Sequence, residues 1–164
     1  MNSTHVLLVR FAALTLVCLA LIPNVEGAAQ GDAIVRIVPS KSKIWRGQTT
    51  TVDVQVEQIS GLYGIELHLR FDPTVLQVVD AFPDAEGVQV EPGAFPKPDF
   101  VVQNKVDNTA GTIDYAATQI PPTLPAKGAG TALRVTLVAR RAQETTIEFR
   151  QFLLADNAGR NIPA

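Results

Sequence analysis

The amino-acid sequence predicts an all-β protein, a β-sandwich of about nine strands with jelly-roll topology. Three observations predict it. Short segments alternate apolar and polar residues with the period of two that belongs to strands, most clearly Ile65–Phe71 and Thr49–Gln58. Turn-forming clusters of Pro, Gly, Asn and Asp separate these segments every 8 to 15 residues or so. No part of the chain beyond its leader carries the apolar spacing of an amphipathic helix.

The chain has 164 residues and opens with an apolar run. Val6 to Ile22 is apolar except for Arg10 and Thr15, and small residues follow at Gly27, Ala28 and Ala29. This pattern reads as a secretory signal peptide over residues 1–29, cut after Gly27 or Ala29, and implies a secreted protein. An uncut leader would instead be long enough to anchor the protein in a membrane. Cys18, the one cysteine, lies inside this run, so the mature chain has no disulfide and rests on its core. Residues 30–164 suffice for one domain that buries about two thirds of its unfolded surface. At a net charge of −2 no basic excess points to nucleic acid, and no polybasic run points to anionic lipid.

The strands follow in order. Asp32–Pro39 alternates and is ended by Pro39. Ser40–Gln48 is a polar connection that holds the only tryptophan, Trp45. Thr49–Gln58 places Val52, Val54 and Val56 on one face and Asp53, Gln55 and Glu57 on the other. In Gly61–Asp80, Ile65, Leu67, Leu69 and Phe71 alternate with Glu66, His68 and Arg70. Asp72-Pro73 breaks that strand, and a second one, Val75–Asp80, is expected beside it in the same layer.

Ala81–Pro98 is rich in Pro and Gly and reads as a loop with one short strand at Gly87–Val90, pinned to the body by Phe82 and Phe95. Asp99–Val106 and Thr112–Gln119 form a hairpin around the turn Asp107–Gly111. Ile120–Gly130 is expected to cross without regular structure. Thr131–Arg140, Thr145–Arg150, Phe152–Ala155 and a terminal strand near Asn161 complete the set.

Catalytic chemistry finds little support. His68 is the single histidine after the leader and, on the polar side of a strand, reads as a solvated sheet residue. With no cysteine there, a Cys/His zinc site and a cysteine nucleophile are excluded. Glu66, Asp99, Asp107 and Asp114 have no motif that would join two of them as a glycosidase pair. The turns at Asp107 and Asp156 lack the repeated oxygen ligands of a calcium loop, and no Gly-rich turn opens a helix to cradle phosphate. No metal or other cofactor is expected. Trp45, Tyr63 and Tyr115 are the residues that could stack on sugar rings, but core or rim positions are the ordinary reading.

The stretch GLYGIELHLRFDPTVLQVVDA, with DNTAGTIDYAATQ, GAGTALRVTLVA and TIEFRQFLLADNAGRNI, resembles a bacterial cohesin module, the receptor half of the cellulosome cohesin–dockerin pair. The likeness covers Ala33–Ile162 and rests on the order and spacing of these segments. It implies a nine-strand sandwich without enzymatic activity, in which any calcium belongs to the dockerin partner. It also implies a protein-binding face on the sheet that holds the third strand and the Asp99–Gln119 hairpin. By position, Gly64 and Glu66 stand where cohesins present a polar pair to the dockerin, and His68 and Arg70 continue that face. Lys105 on the fifth strand, and Ala117 and Gln119 on the sixth, are where further contacts are expected. The residue types differ from the Asn/Asp pair common in scaffoldin cohesins, which implies a divergent member. The expected partner is a dockerin-bearing protein in extracellular polysaccharide degradation. A carbohydrate-binding module and a structural surface domain are the alternatives of the same architecture.

Overall fold

The computed structural model describes residues 32–164, and the expected signal peptide lies outside them. The strands are β1 (Ile34–Pro39), β2 (Thr49–Leu62), β3 (Gly64–Phe71), β4 (Leu76–Val78), β5 (Glu91–Pro92), β6 (Phe100–Asp107), β7 (Thr112–Thr118), β8 (Ala126–Ala139) and β9 (Ile147–Ala155). They form two antiparallel sheets. One runs β1-β2-β8-β4, with β5 also paired to β8; the other runs β6-β7-β3-β9.

The period-two residues decide which faces meet. Val52, Val54 and Val56 from β2 and Leu133, Val135 and Leu137 from β8 point inward from the first sheet. Ile65, Leu67, Leu69 and Phe71 from β3, with Ile113 and Tyr115 from β7, point inward from the second. Each fully buried aliphatic side chain contributes about 1.5–3 kcal/mol, so alternation alone supplies a strong bias toward this pairing of layers. Burial pushes the Tyr115 hydroxyl up to about 12, so the ring sits in the core as a neutral phenol.

Asp72-Pro73 does not join two strands of one layer, as expected, but carries the chain from the second sheet to the first. Asp72 Oδ1 accepts hydrogen bonds from the Thr74 amide and hydroxyl, both at 2.8 Å, and Pro73 donates none. These bonds fold the backbone into a tight corner and hold the Asp72 carboxyl below the usual carboxylate range. The hairpin turn packs against this corner. Asp107 Oδ1 accepts from the Thr109 and Ala110 amides at 2.8 Å each, and the Phe71 amide donates to Gly111 O at 2.9 Å.

Other departures have local causes. Ala126–Gly130 is strand and not an irregular crossing, because β2 continues past Gln58 and offers Ile59, Ser60 and Leu62 as partners to Gly128, Lys127 and Ala126. The two late segments merge into one β9. Its register against β3 shifts between His68 and Leu69, which leaves Arg150 as an extra residue in a β-bulge. The expected strands at Gly87–Val90 and Asn161 reduce to single bridges, Val88 to Val106 and Ala155 to Asn161. Phe95 packs against the core as expected, whereas Phe82 lies outside the core and is 41% exposed.

Two asparagines stand in for missing strand partners. Asn108 Oδ1 accepts from the Val78 amide at 2.8 Å while its Nδ2 donates to Val78 O at 3.0 Å. Asn104 treats Val90 the same way, at 2.9 and 2.8 Å.

Candidate functional site

Adjacent strands bring residues far apart in sequence into rows on the outer face of the β6-β7-β3-β9 sheet. Lys105, Asp114, His68 and Gln151 form one row across the four strands. Gln103, Ala116, Glu66 and Leu153 form the next. Beyond it lie Thr118, Gly64 and Ala155, with the exposed Phe100 beside Thr118. On the other side lie Thr112, Arg70 and Glu148. The face is therefore graded. Small and apolar side chains occupy the Gly64 end, and charged ones the Arg70 end.

Of the residues singled out from the sequence, Gly64, Glu66, His68, Arg70 and Lys105 lie on this face. Ala117 and Gln119 do not. They share the inward parity of Ile113 and Tyr115 and are only 5% and 7% exposed. Gln119 is a buried tie: with its amide turned so that the nitrogen faces the two carbonyls, it donates to Leu62 O at 3.1 Å and Leu124 O at 3.3 Å. The outward residues of β7 are instead Thr112, Asp114, Ala116 and Thr118. The alternation of TIDYAATQ carries that signal, since Ile113 and Tyr115 fix which parity faces the core.

His68 is not a freely solvated sheet residue. Its Nδ1 lies 2.5 Å from Asp114 Oδ1 and its Nε2 lies 2.7 Å from Glu66 Oε1, with the imidazole about a quarter exposed. Both acceptors are carboxylates, so both ring nitrogens serve best as donors and the ring is best held as imidazolium. The hydrogen bond to Asp114, then the one to Glu66, raise the His68 pKa, against a smaller opposing effect of burial. The cationic ring neutralises one of its two carboxylate neighbours, and Lys105 stands across from Asp114 on the other side. Arg70 is paired with Glu148. The charged half of the face is thus largely matched within itself.

This arrangement predicts a pH dependence. A raised folded-state pKa means the stabilisation is complete below the unfolded value, near 6.5, and is lost as pH rises through the folded value. Wild type should lose stability across that window relative to a His68→Gln variant. A histidine NMR titration should place the His68 midpoint above about 6.5. A midpoint at or below it would refute the clamp.

The remaining candidates are structural. Asp99 Oδ2 accepts from the Ile120 amide at 2.9 Å and Asp107 closes its turn, so neither faces a second carboxylate across a cleft. No group of three or more His, Cys, Asp or Glu among the described residues could hold a metal ion. Tyr115 is core, and Trp45 stands far out in solvent.

Known structures share this architecture. A type II cohesin domain from the cellulosome of Acetivibrio cellulolyticus superposes with a TM-score of 0.69 at 21% identity, over 82% of this chain and 90% of that one. The second type II cohesin module of the cellulosomal adaptor ScaA scaffoldin from the same organism gives 0.68 at 16% identity, over 81% and 90%. A third, from an Acetivibrio cellulolyticus cohesin–X-dockerin complex, gives 0.64 at 16% identity, over 81% and 92%. No curated protein sequence matches. The family model described as "Cohesin domain" matches residues 34–162. Cohesin domains are non-catalytic binding modules. With two sheets closed around one core and that match spanning most of its length, the chain belongs to the cohesin domain family.

Proposed function

We propose that this protein is a secreted adaptor whose β6-β7-β3-β9 face binds a dockerin module in extracellular polysaccharide degradation. The carrying observation is the graded face. A helix can approach closely over the small side chains of Gly64, Ala116, Thr118 and Ala155, with the exposed Phe100 and Leu153 as apolar flanks. Specificity then comes from the Glu66–His68–Asp114 cluster, Arg70 and Lys105, whose internal pairing an incoming charge of either sign would disturb. Support comes from the relatives: structures of similar fold are named as cellulosomal cohesins, and some were crystallised with dockerins. Because the charged half is internally matched, the partner surface should be near neutral where it meets this region.

The test is a binding panel of calcium-loaded dockerins, read by surface plasmon resonance with and without chelator. A saturable, calcium-dependent signal from at least one dockerin is expected, since the calcium belongs to the partner. Silence across a panel that spans both dockerin types, including those of secreted polysaccharide-degrading enzymes, would sink the reading.

A further inference from the structure

The docking face leaves Trp45 unexplained. Trp45 is 76% exposed, the most exposed aromatic residue among the described residues. It is not on a loose loop. The Gln48 amide donates to Trp45 O at 2.9 Å and the Trp45 amide donates to Gln48 Oε1 at 3.1 Å, closing a four-residue turn with Gly47 at φ 83°. Gly47 N donates to Ala139 O at 2.8 Å, and Ala139 N donates back to Gln48 O at 3.0 Å, so the turn is stitched to β8. At the other end of the loop, Thr50 Oγ1 accepts from the Lys41 amide and donates to Lys41 O, while Ser40 Oγ meets Thr51 Oγ1 at 3.0 Å. A large aromatic is therefore held out in water by a fixed backbone.

The surroundings are basic. Residues 40–48 contain Lys41, Lys43 and Arg46 with no carboxylate, and residues 140–146, which follow β8 directly, add Arg140 and Arg141 against one carboxylate, Glu144. All five cations are exposed, and none forms an ion pair among the described residues; Asp72 feels Arg141 only through space. This concentration occurs in a chain of net charge −2. It also lies at the far end of β1 from Ala33, whose amide donates to Pro163 O, so both ends of the described chain are remote from it.

We propose that the Trp45 turn and the adjoining basic loop form a second binding site, for a linear acidic polysaccharide of the polyuronate class. A uronate ring offers its C–H face to the indole and its carboxylate to the flanking cations. A neutral glycan would leave the cations unused. A membrane surface fits less well, because no second large apolar side chain of these two loops is exposed beside Trp45 to insert. A single ring also makes no platform for successive nucleic-acid bases. The site is independent of the dockerin reading and would hold an adaptor on its substrate while the other face recruits a partner.

Trp45 is the sole tryptophan, so intrinsic fluorescence reads this site directly. Titration with polygalacturonate should give a saturable blue shift or quench that weakens at least tenfold when salt is raised from about 50 to 500 mM. Trp45→Ala and the double change Lys43→Glu/Arg46→Glu should each reduce retardation in a polygalacturonate affinity gel at least tenfold, with the melting temperature and dockerin binding unchanged. Four outcomes would overturn the proposal: no response to polygalacturonate, an equal response to cellohexaose, retardation unaffected by Trp45→Ala, or tighter binding to phosphatidylglycerol vesicles or single-stranded DNA.

Discussion

Arginine in place of Ala116 is expected to weaken dockerin binding at least 100-fold without disturbing the fold. Ala116 stands between Glu66 and Gln103, one row in from the small-residue end of the face. Its methyl group lets a partner approach the sheet closely, and a guanidinium there would hold that partner several ångströms away. A loss of 100-fold corresponds to about 2.8 kcal/mol, within reach of one steric block at the centre of an interface. The fold should tolerate the change, because the side chain points to solvent and finds Glu66 across the strand; surface substitutions of this kind usually stay within about 0.5 kcal/mol. Resonance titration gives the affinity, and a thermal melt controls for folding. Unaltered affinity would move the docking site off this sheet.

The largest stability effect is expected from Gly111→Ala, a loss of about 3 kcal/mol or more. Gly111 closes the β6–β7 hairpin at φ 73°, where a side chain costs roughly 1–2 kcal/mol. Its added Cβ would also lie 2.2 Å from Phe71 O and 2.7 Å from Pro73 Cδ. Neither neighbour can give way cheaply, since one is backbone and the other is the corner that carries the chain between sheets; forced repacking of this sort costs about 1–3 kcal/mol. Gly47→Ala is the control, with a similar φ of 83° and no atom within 4 Å, so it isolates the backbone cost. Urea unfolding should show a lower midpoint at unchanged m-value, with Gly111→Ala well below Gly47→Ala. Equal midpoints would mean that the corner is not tightly packed.

How far the sequence reveals this molecule depends on whether a feature is periodic or relational. Leu67 and Val54 announce their burial by alternation, because the strand repeat and the core face are the same geometric fact. The membership of β3 and the Asp99–Gln119 hairpin in one sheet was legible through the resemblance. The crossing at Asp72-Pro73 was not. The same residues make a turn within a sheet or a corner between sheets, and only long-range pairing of β4 with β8 decides which.

Ala117 and Gln119 illustrate a different failure. Carrying family positions onto β7 overrode the parity that Ile113 and Tyr115 had already set, and a shift of one residue exchanges the two faces of a strand. In the sequence Asp114 reads only as a stray carboxylate. Its role depends on His68, 46 residues away in the chain, so no local pattern could have paired them. Trp45 reads by sequence as a core or rim residue, and its exposure follows from stitching of the 40–48 loop to β8 that the sequence does not display.

The amide clamps of Asn104 and Asn108 bear on how such a protein stays monomeric at high concentration. A sandwich has open rims, and each unsatisfied donor–acceptor pair along them invites a second copy to add itself as the next strand. At Val78 and Val90 both backbone groups are already engaged by an asparagine, so polymerisation by ladder extension finds no purchase there. Edge pairing by a second copy is therefore blocked at these two points of the rim, while β1, β6 and β9 remain the outer strands of their sheets.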